Sequence, residues 1–436
     1  MDKIKKILIL SASNPYKTAG IVAYDILKGF TKEGYFAKLL VENFDNYEDD
    51  DIICIQSRYS FLLKRFLRKI KNTISKKVIR SNNKVFTIAK YHFDPIGLIN
   101  QSYSTKKILQ RAGFKPDVII VIFAQYFISY KNLYELQNMT GAKIFWQFAD
   151  ENPFTGGCHY SWDCKGYENS CVNCPAVVSN KNKRLPENTL KEKLYYSKLT
   201  QIVPVIGSDW LINKAKNSSL FSKSDIKKIY LPIDAKEFIP FTPKIKNKLR
   251  EKYSIDKSKT VLLIMANYLD HERKGIKLIM NSLNYISEEI INRKSLHLLI
   301  VGNNFNLMKK HLSNRFQYTY INHVDRRRLP EIYNISNIFI SASLQDVGPY
   351  TLTEALLCGV PVVALNHGYA NEFVINKKTG ILVNSDKPKD LYEGIMVLLN
   401  MKSEQLDKIN KESRIRTLPI LSRKRQIQDY KKILNE

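Results

Sequence analysis

The stretch Asp346–Pro361, DVGPYTLTEALLCGVP, sets two carboxylates, Asp346 and Glu354, on either side of a strand-to-helix turn. The run ahead of it, NIFISAS from Asn337 to Ser343, is apolar and β-prone, and a loop with Gly348 follows. Pro349 suits the first helical position, while Gly359 and Pro361 mark a helix stop before a next strand, VVAL. The pattern predicts Asp346 in the loop and Glu354 on the helix, both at the carboxyl edge of a parallel sheet. In open α/β sheets that edge is where ligands bind. A helix N-terminus there offers unpaired N–H groups to a phosphate, and a carboxylate can accept two hydrogen bonds from the vicinal diol of a ribose. A bare carboxylate pair reads equally well as a capping Asp and a solvated helix Glu. The Gly-Val-Pro-Val-Val close and the strand ahead favour a nucleotide-sugar site.

The segment resembles the C-terminal donor motif of family 4 (group 1) glycosyltransferases: a Glu, seven residues, a second Glu, then Ala and a Gly-x-Pro-Val-Val close. The resemblance implies an α/β chain of the GT-B fold, two Rossmann-like doubly wound domains facing across a cleft. It further implies that Asp346 holds donor-sugar hydroxyls and Glu354 the ribose, with Gly348, Tyr350 and Thr351 in the donor-binding turn between them. Asp346 is one methylene shorter than the family's Glu.

A second piece follows the strand TVLLIMA, where ANYLDHERKGI leads into a helical run with Ile276, Ile279, Leu283 and Ile286 on one face. Lys274 and Gly275 just before a helix N-terminus can set an ammonium against a diphosphate and neutralise a leaving group. Taken alone, the pair is more simply a solvated Lys. The family's Lys-Gly step falls here, and its usual Arg a few residues earlier is Leu269, which leaves Arg273 as the adjacent substitute. In the first half, the loop SASNPYKTAGI after KKILIL resembles the family's N-terminal glycine loop through Gly20, with Ala19 in place of a first glycine. Gly20 would let the backbone approach a phosphate.

The third piece is Trp146–Pro175, WQFADENPFTGGCHYSWDCKGYENSCVNCP, which holds four of the six cysteines: Cys158, Cys164, Cys171 and Cys174. Such clustering favours a structural zinc over free thiols, and free thiols over disulfides. A closed four-thiolate site would stabilise the loop and leave catalysis to others. The stretch resembles a colanic-acid and exopolysaccharide subgroup of family 4, in which His-Asp precedes Thr-Gly-Gly-Cys-His-Tyr. Here the His position is Ala149, so the resemblance leaves Asp150 to accept the acceptor's proton or to bind sugar hydroxyls, with His159 as the other candidate. Asp150, Asp346 and Lys274 are thus the expected catalytic residues.

A chain of 436 residues exceeds one ordinary core and predicts two domains. The expected division is 1–239 for an acceptor domain carrying the cysteine loop 150–175, 240–420 for a donor domain, and 421–436 for a helix returning to the first. The linker would be PFTP, Pro240–Pro243, after the strand-like KKIYLPID. Apolar runs such as Val118–Phe123 are too short to span a membrane, and MDKIKKILIL reads as a first strand instead of a signal peptide. A cytoplasmic protein is the expectation.

The net charge of +28 permits nucleic acid, an anionic membrane surface, or no function at all. Nucleic acid is weakest, because no helix-turn-helix, zinc-finger or RNA-binding signature occurs. Between Asp51 and Asp94, eleven Lys or Arg stand without one acidic residue. Within that interval Leu62–Arg80 carries Leu62, Phe66, Ile70, Ile74 and Val78 at four-residue spacing, a basic amphipathic helix suited to anionic lipid. An ordinary helix packed on its own sheet fits the same spacing.

The resulting expectation is a retaining glycosyltransferase, retention being implied by the family. It would move a sugar from a nucleoside-diphosphate donor to a lipid-linked oligosaccharide in surface polysaccharide synthesis, with no metal at the chemical step. A non-catalytic nucleotide-sugar-binding partner and a nucleotide-sugar 2-epimerase stand as alternatives.

Overall fold

The computed structural model describes residues 5–16, 20–42, 49–56 and 88–435, so the basic stretch Leu62–Arg80 lies outside the described residues. The chain forms two compact units, Met1–Pro232 with Gln426–Glu436, and Ile233–Arg425. The division comes seven residues before position 239, and the return begins at Gln426 rather than at residue 421. Ile233 explains the earlier boundary: it donates its N–H to Leu421 O at 2.9 Å, and Phe238, fully buried, packs edge-on to Tyr333 in the second core.

The first unit's sheet comprises β1 (Lys6–Ser11), β2 (Phe36–Val41), β3 (Ile52–Cys54), β4 (Val118–Ile122), β5 (Lys143–Phe148), β6 (Ile202–Ile206) and β7 (Lys227–Lys228). Their order is β3-β2-β1-β4-β5-β6-β7, and every pairing is parallel. The second unit repeats the plan with β8 (Thr260–Tyr268), β9 (Leu296–Asn303), β10 (Gln317–Ile321), β11 (Ile338–Ser341), β12 (Val362–Leu365) and β13 (Gly380–Val383). Its order, β10-β9-β8-β11-β12-β13, is also parallel throughout. In both sheets the order reverses between two central strands, β1 and β4 or β8 and β11, and a doubly wound sheet binds ligands at such a switch point.

Strands covered by helices on both faces need continuous apolar runs, and VIIVI of β4 is buried at all five positions. The expected strand KKIYLPID pairs only over Lys227–Lys228; Ile229 adds one bond to Ile206 O at 3.1 Å, and Pro232 has no N–H to continue. In the second unit Leu262, Ile264, Leu298, Ile300, Ile340 and Val363 form the sheet's share of one core, on which Ile276, Ile279, Leu283 and Ile286 pack. Each such side chain contributes about 1.5–3 kcal/mol when fully buried. Among the described residues no helix is long and apolar enough to cross a membrane.

Candidate functional site

The turns after β8 and β11 meet at the second unit's switch point. Gly275 has φ +62°, and a Cβ there would stand 1.9 Å from Ala342 O, so only glycine lets the two turns touch. Backbone bonds then fix them together: Leu344 N–H donates to Arg273 O at 2.7 Å and Gln345 N–H to the same oxygen at 3.3 Å. This contact delivers the side chains. Arg273 Nη1 lies 3.1 Å from Asp346 Oδ2, and Lys274 Nζ is hydrogen-bonded to the same oxygen. Three of the expected donor-site residues therefore form one cluster, and Leu269, at the position of the family's Arg, is wholly buried in the core.

Burial alone would raise the Asp346 carboxyl, but the Lys274 and Arg273 charges outweigh it and, with the Gly348 N–H, hold it below its ordinary value. Burial lowers the Lys274 ammonium, with Asp346 opposing. Two cations on one carboxylate leave the cluster with a surplus positive charge. That surplus can meet a diphosphate.

The helix Tyr350–Leu357 starts one residue later than the sequence reading placed it. Pro349 is its N-cap rather than its first helical residue, and its carbonyl accepts from Leu352 N–H at 3.1 Å. Tyr350 and Thr351 open the helix, both half-buried. At the other end Gly359 N–H bonds Leu356 O and Val360 N–H bonds Ala355 O, a Schellman close that turns the chain into β12. On the second turn Glu354 is 1 % exposed. Its Oε1 accepts from Arg326 Nη1 at 2.9 Å and its Oε2 from the Tyr333 hydroxyl at 2.7 Å. Burial pushes Glu354 above its ordinary value, although Arg326 and Tyr333 pull the other way. Neither partner was visible as such in the sequence: Arg326 lies in the run RRR and Tyr333 in an unremarkable helix, Leu329–Asn334.

Gly20 lies in the first unit and opens the helix Gly20–Lys32. A Cβ there would stand 1.9 Å from Asn14 O, so the glycine serves a close approach of the chain to itself. That internal contact accounts for the residue without a phosphate.

Also in the first unit, the loop after β5 pairs Asp150 with His159, Oδ2 to Nδ1 at 2.7 Å. Burial alone would raise Asp150 and lower His159, yet the partner's charge and the hydrogen bond between them, helped at Asp150 by the Asn152 N–H, together outweigh it, so Asp150 is held low and His159 high. Asn152 N–H donates to Asp150 Oδ1 at 2.8 Å, and Asn152 Nδ2 reaches Asp94 O and Gly157 O at 3.1 and 3.0 Å. Underneath, Lys193 is fully buried and donates to Asn152 O at 2.6 Å and Thr155 O at 2.9 Å; burial pulls its ammonium down to about 8. Glu151, equally buried, pairs with Lys214 at 3.0 Å. Lys193 and Lys214 carried no sequence signal, because their partners lie 41 and 63 residues away.

Cys158, Cys164, Cys171 and Cys174 line one small pocket with Tyr167, all four as free thiols. Cys158 and Cys174 are hydrogen-bonded to each other, while Cys164 and Cys171 accept backbone N–H groups of Gly166 and Gly156. Among the described residues no group of three or more His, Cys, Asp or Glu side chains is placed to hold a metal ion.

Residues 245–416, which contain both the Arg273, Lys274 and Asp346 cluster and Glu354, match the family model described as glycosyl transferases group 1. The chain is 25% identical over 232 residues to spore coat protein SA of Bacillus subtilis, covering 50% of this chain and 59% of that one. It is 26% identical over 263 residues to an uncharacterised glycosyltransferase of Methanocaldococcus jannaschii, covering 57% and 64%. The chain thus spans about three fifths of the length of these curated relatives. Among solved structures, HepE of Anabaena in complex with UDP and glucose superposes with a TM-score of 0.64 at 14% identity, over 99% of this chain and 100% of that one. The fold is therefore GT-B, and residues 245–416 carry the group 1 glycosyl transferase pattern within it.

Proposed function

We propose that this protein is a retaining glycosyltransferase that takes a sugar from a nucleoside-diphosphate donor and adds it to an oligosaccharide, carried on a lipid, in surface polysaccharide synthesis. The observation that carries the reading is the Arg273, Lys274 and Asp346 cluster at the β8/β11 switch point, within the segment that matches group 1 glycosyl transferases. HepE, of the same fold, is solved with UDP and glucose, which supports a nucleotide-sugar donor.

In this reading Glu354 accepts the ribose diol. Lys274 and Arg273 take up the diphosphate's charge as its bond to the sugar breaks, which stabilises the leaving group at the moment charge develops. Asp346, Gly348, Tyr350 and Thr351 surround the sugar. In the first unit Asp150, fixed by Asn152 and paired with His159, accepts the proton of the acceptor hydroxyl. His159 thus supplies an imidazole beside Asp150 although residue 149 is Ala.

The test is release of nucleoside diphosphate from UDP-, ADP- and GDP-sugars, with calorimetry of the free nucleoside diphosphates. Glu354→Gln should weaken that binding by about 1–3 kcal/mol. A wild-type protein that binds none of them overturns the reading.

A cytoplasmic, peripheral position on an anionic membrane is part of the proposal, supported by the eleven cations and no anions between Asp51 and Asp94. Each contributes about 1 kcal/mol near such a surface. Wild-type protein should co-sediment with phosphatidylserine vesicles at low salt, and reversing Lys64, Arg68 and Lys71 to Glu should release it with nucleotide affinity unchanged. Failure of the wild type to co-sediment removes the membrane and leaves the donor reading standing.

A further inference from the structure

We infer that Arg326 is a positioning residue of the nucleotide site, holding the Glu354 carboxylate in place and in charge for the ribose diol. The inference rests on the reading of Glu354 as the ribose acceptor. Three observations on geometry lead to it.

First, Glu354 has almost no water: its side chain is 2% exposed, whereas that of Arg326 is 27% exposed. A carboxylate so buried pays a large desolvation cost and keeps its charge only against a partner. Second, the groups that face it among the described residues are of mixed sign. Arg326 is the cation in contact, Tyr333 donates its hydroxyl, Glu237 opposes the charge from nearby, and Cys358 lies one turn along the same helix. Third, Arg326 is itself fixed. Asp325 caps its short 3-10 turn, accepting from Arg327 N–H at 3.0 Å, and the guanidinium lies 5.3 Å from the centroid of the buried Phe238 ring.

The arrangement leaves acceptor capacity for a ligand. Arg326 uses one lone-pair direction of Oε1 and Tyr333 one of Oε2, and a carboxylate offers about four such directions. A diol could add one donor to each oxygen without displacing either partner. Only the ionised form can do this, since a protonated carboxyl gives up part of its acceptor capacity. Arg326 therefore acts through Glu354, and its removal should appear as a dependence on proton concentration that loss of packing would not produce.

The experiment compares wild type, Arg326→Gln, Arg326→Lys, Glu354→Gln and the Arg326→Gln/Glu354→Gln double variant. Binding of UDP-, ADP- and GDP-glucose is measured between pH 6 and 8, where the diphosphate diester does not titrate, and melting temperature is followed over the same range. Arg326→Gln should lose roughly ten- to a hundredfold in affinity, the range for a hydrogen bond to a charged group. The ratio of variant to wild type should fall further as pH is lowered, because the unpaired carboxyl takes up a proton.

Stability should move the opposite way. Burial already holds Glu354 above its ordinary value; without its cation that value rises further, so the folded form takes up the extra proton at higher pH and the variant gains more stability on acidification than wild type does. Arg326→Lys should restore the wild-type profile, and the double variant should bind no worse than Glu354→Gln alone. A variant ratio that is constant with pH, with losses that add in the double variant, overturns the inference. If Glu354→Gln binds as wild type does, the ribose reading falls and this inference with it. Failure of Arg326→Gln alone to fold would leave the decision to Arg326→Lys, whose affinity must then stay pH-independent and below wild type.

Discussion

In the second unit, the donor cluster is assembled from two turns on adjacent strands of one sheet, joined by backbone bonds from Leu344 and Gln345 to Arg273 and permitted by Gly275. In the first unit, the Asp150 and His159 pair stands on a long loop whose supports come from elsewhere in the chain: Lys193 under Asn152, Lys214 against Glu151, and Asp94 behind Asn152. One site is held by main chain at a fold-determined position. The other is held by buried ions. The difference teaches where each is vulnerable: the donor cluster should tolerate side-chain changes without unfolding, and the loop should not.

The widest gap between the two should come from Lys274→Met. Nucleoside diphosphate release should fall by about 10²- to 10³-fold, the scale of removing one preorganised donor to developing charge. Melting temperature should stay near wild type. A loss under about threefold would remove Lys274 from the leaving group and blur the contrast.

Lys193→Met should do the reverse. Two carbonyls, Asn152 O and Thr155 O, would be buried without their donor, at about 1–3 kcal/mol in urea unfolding, while nucleoside diphosphate affinity is unchanged. The pH dependence sharpens the test. The wild-type ammonium is pulled down to about 8, so between there and the ordinary lysine value the unfolded chain holds more protons and stability rises with pH. Lys193→Met should lack that rise.

The smallest effect belongs to His159→Asn. The His159 value is raised by Asp150, so its contribution to stability is present in full below about pH 6.5 and is lost as pH climbs through the raised value. The variant should be less stable by about 1 kcal/mol at pH 6 and equal to wild type at alkaline pH. An unchanged pH profile would separate the imidazole from the carboxylate.

What could be read in advance follows the same division. The strand and helix around Asp346 and Glu354 announce themselves through local punctuation: an apolar run, Gly348, Pro349, then Gly359 and Pro361, each acting within a few residues. So does Lys274 with Gly275. The short strand β10 was not marked, because QYTYI is half-polar and half-buried, and β7 was marked too long, because its end depends on its pairing with β6. Arg326 was hidden for another reason. One of three consecutive arginines pairs with a residue 28 positions away, and nothing local distinguishes it from its neighbours, which are largely exposed. The clustering of four cysteines was legible in the sequence, and the fold brings all four to one pocket.

The helix Arg423–Asn435 carries a consequence for how the molecule is made. From Gln426 onward it belongs to the first unit: Tyr430 is fully buried, gives its hydroxyl to Gln147 on β5 at 2.9 Å, and packs edge-on against Phe30. During translation the ribosome therefore releases β1 to β7 long before the helix that covers them. Those strands must wait for the helix while the whole second unit is synthesised. A chain stalled before Gln426 would leave incomplete the unit whose strands were made earlier.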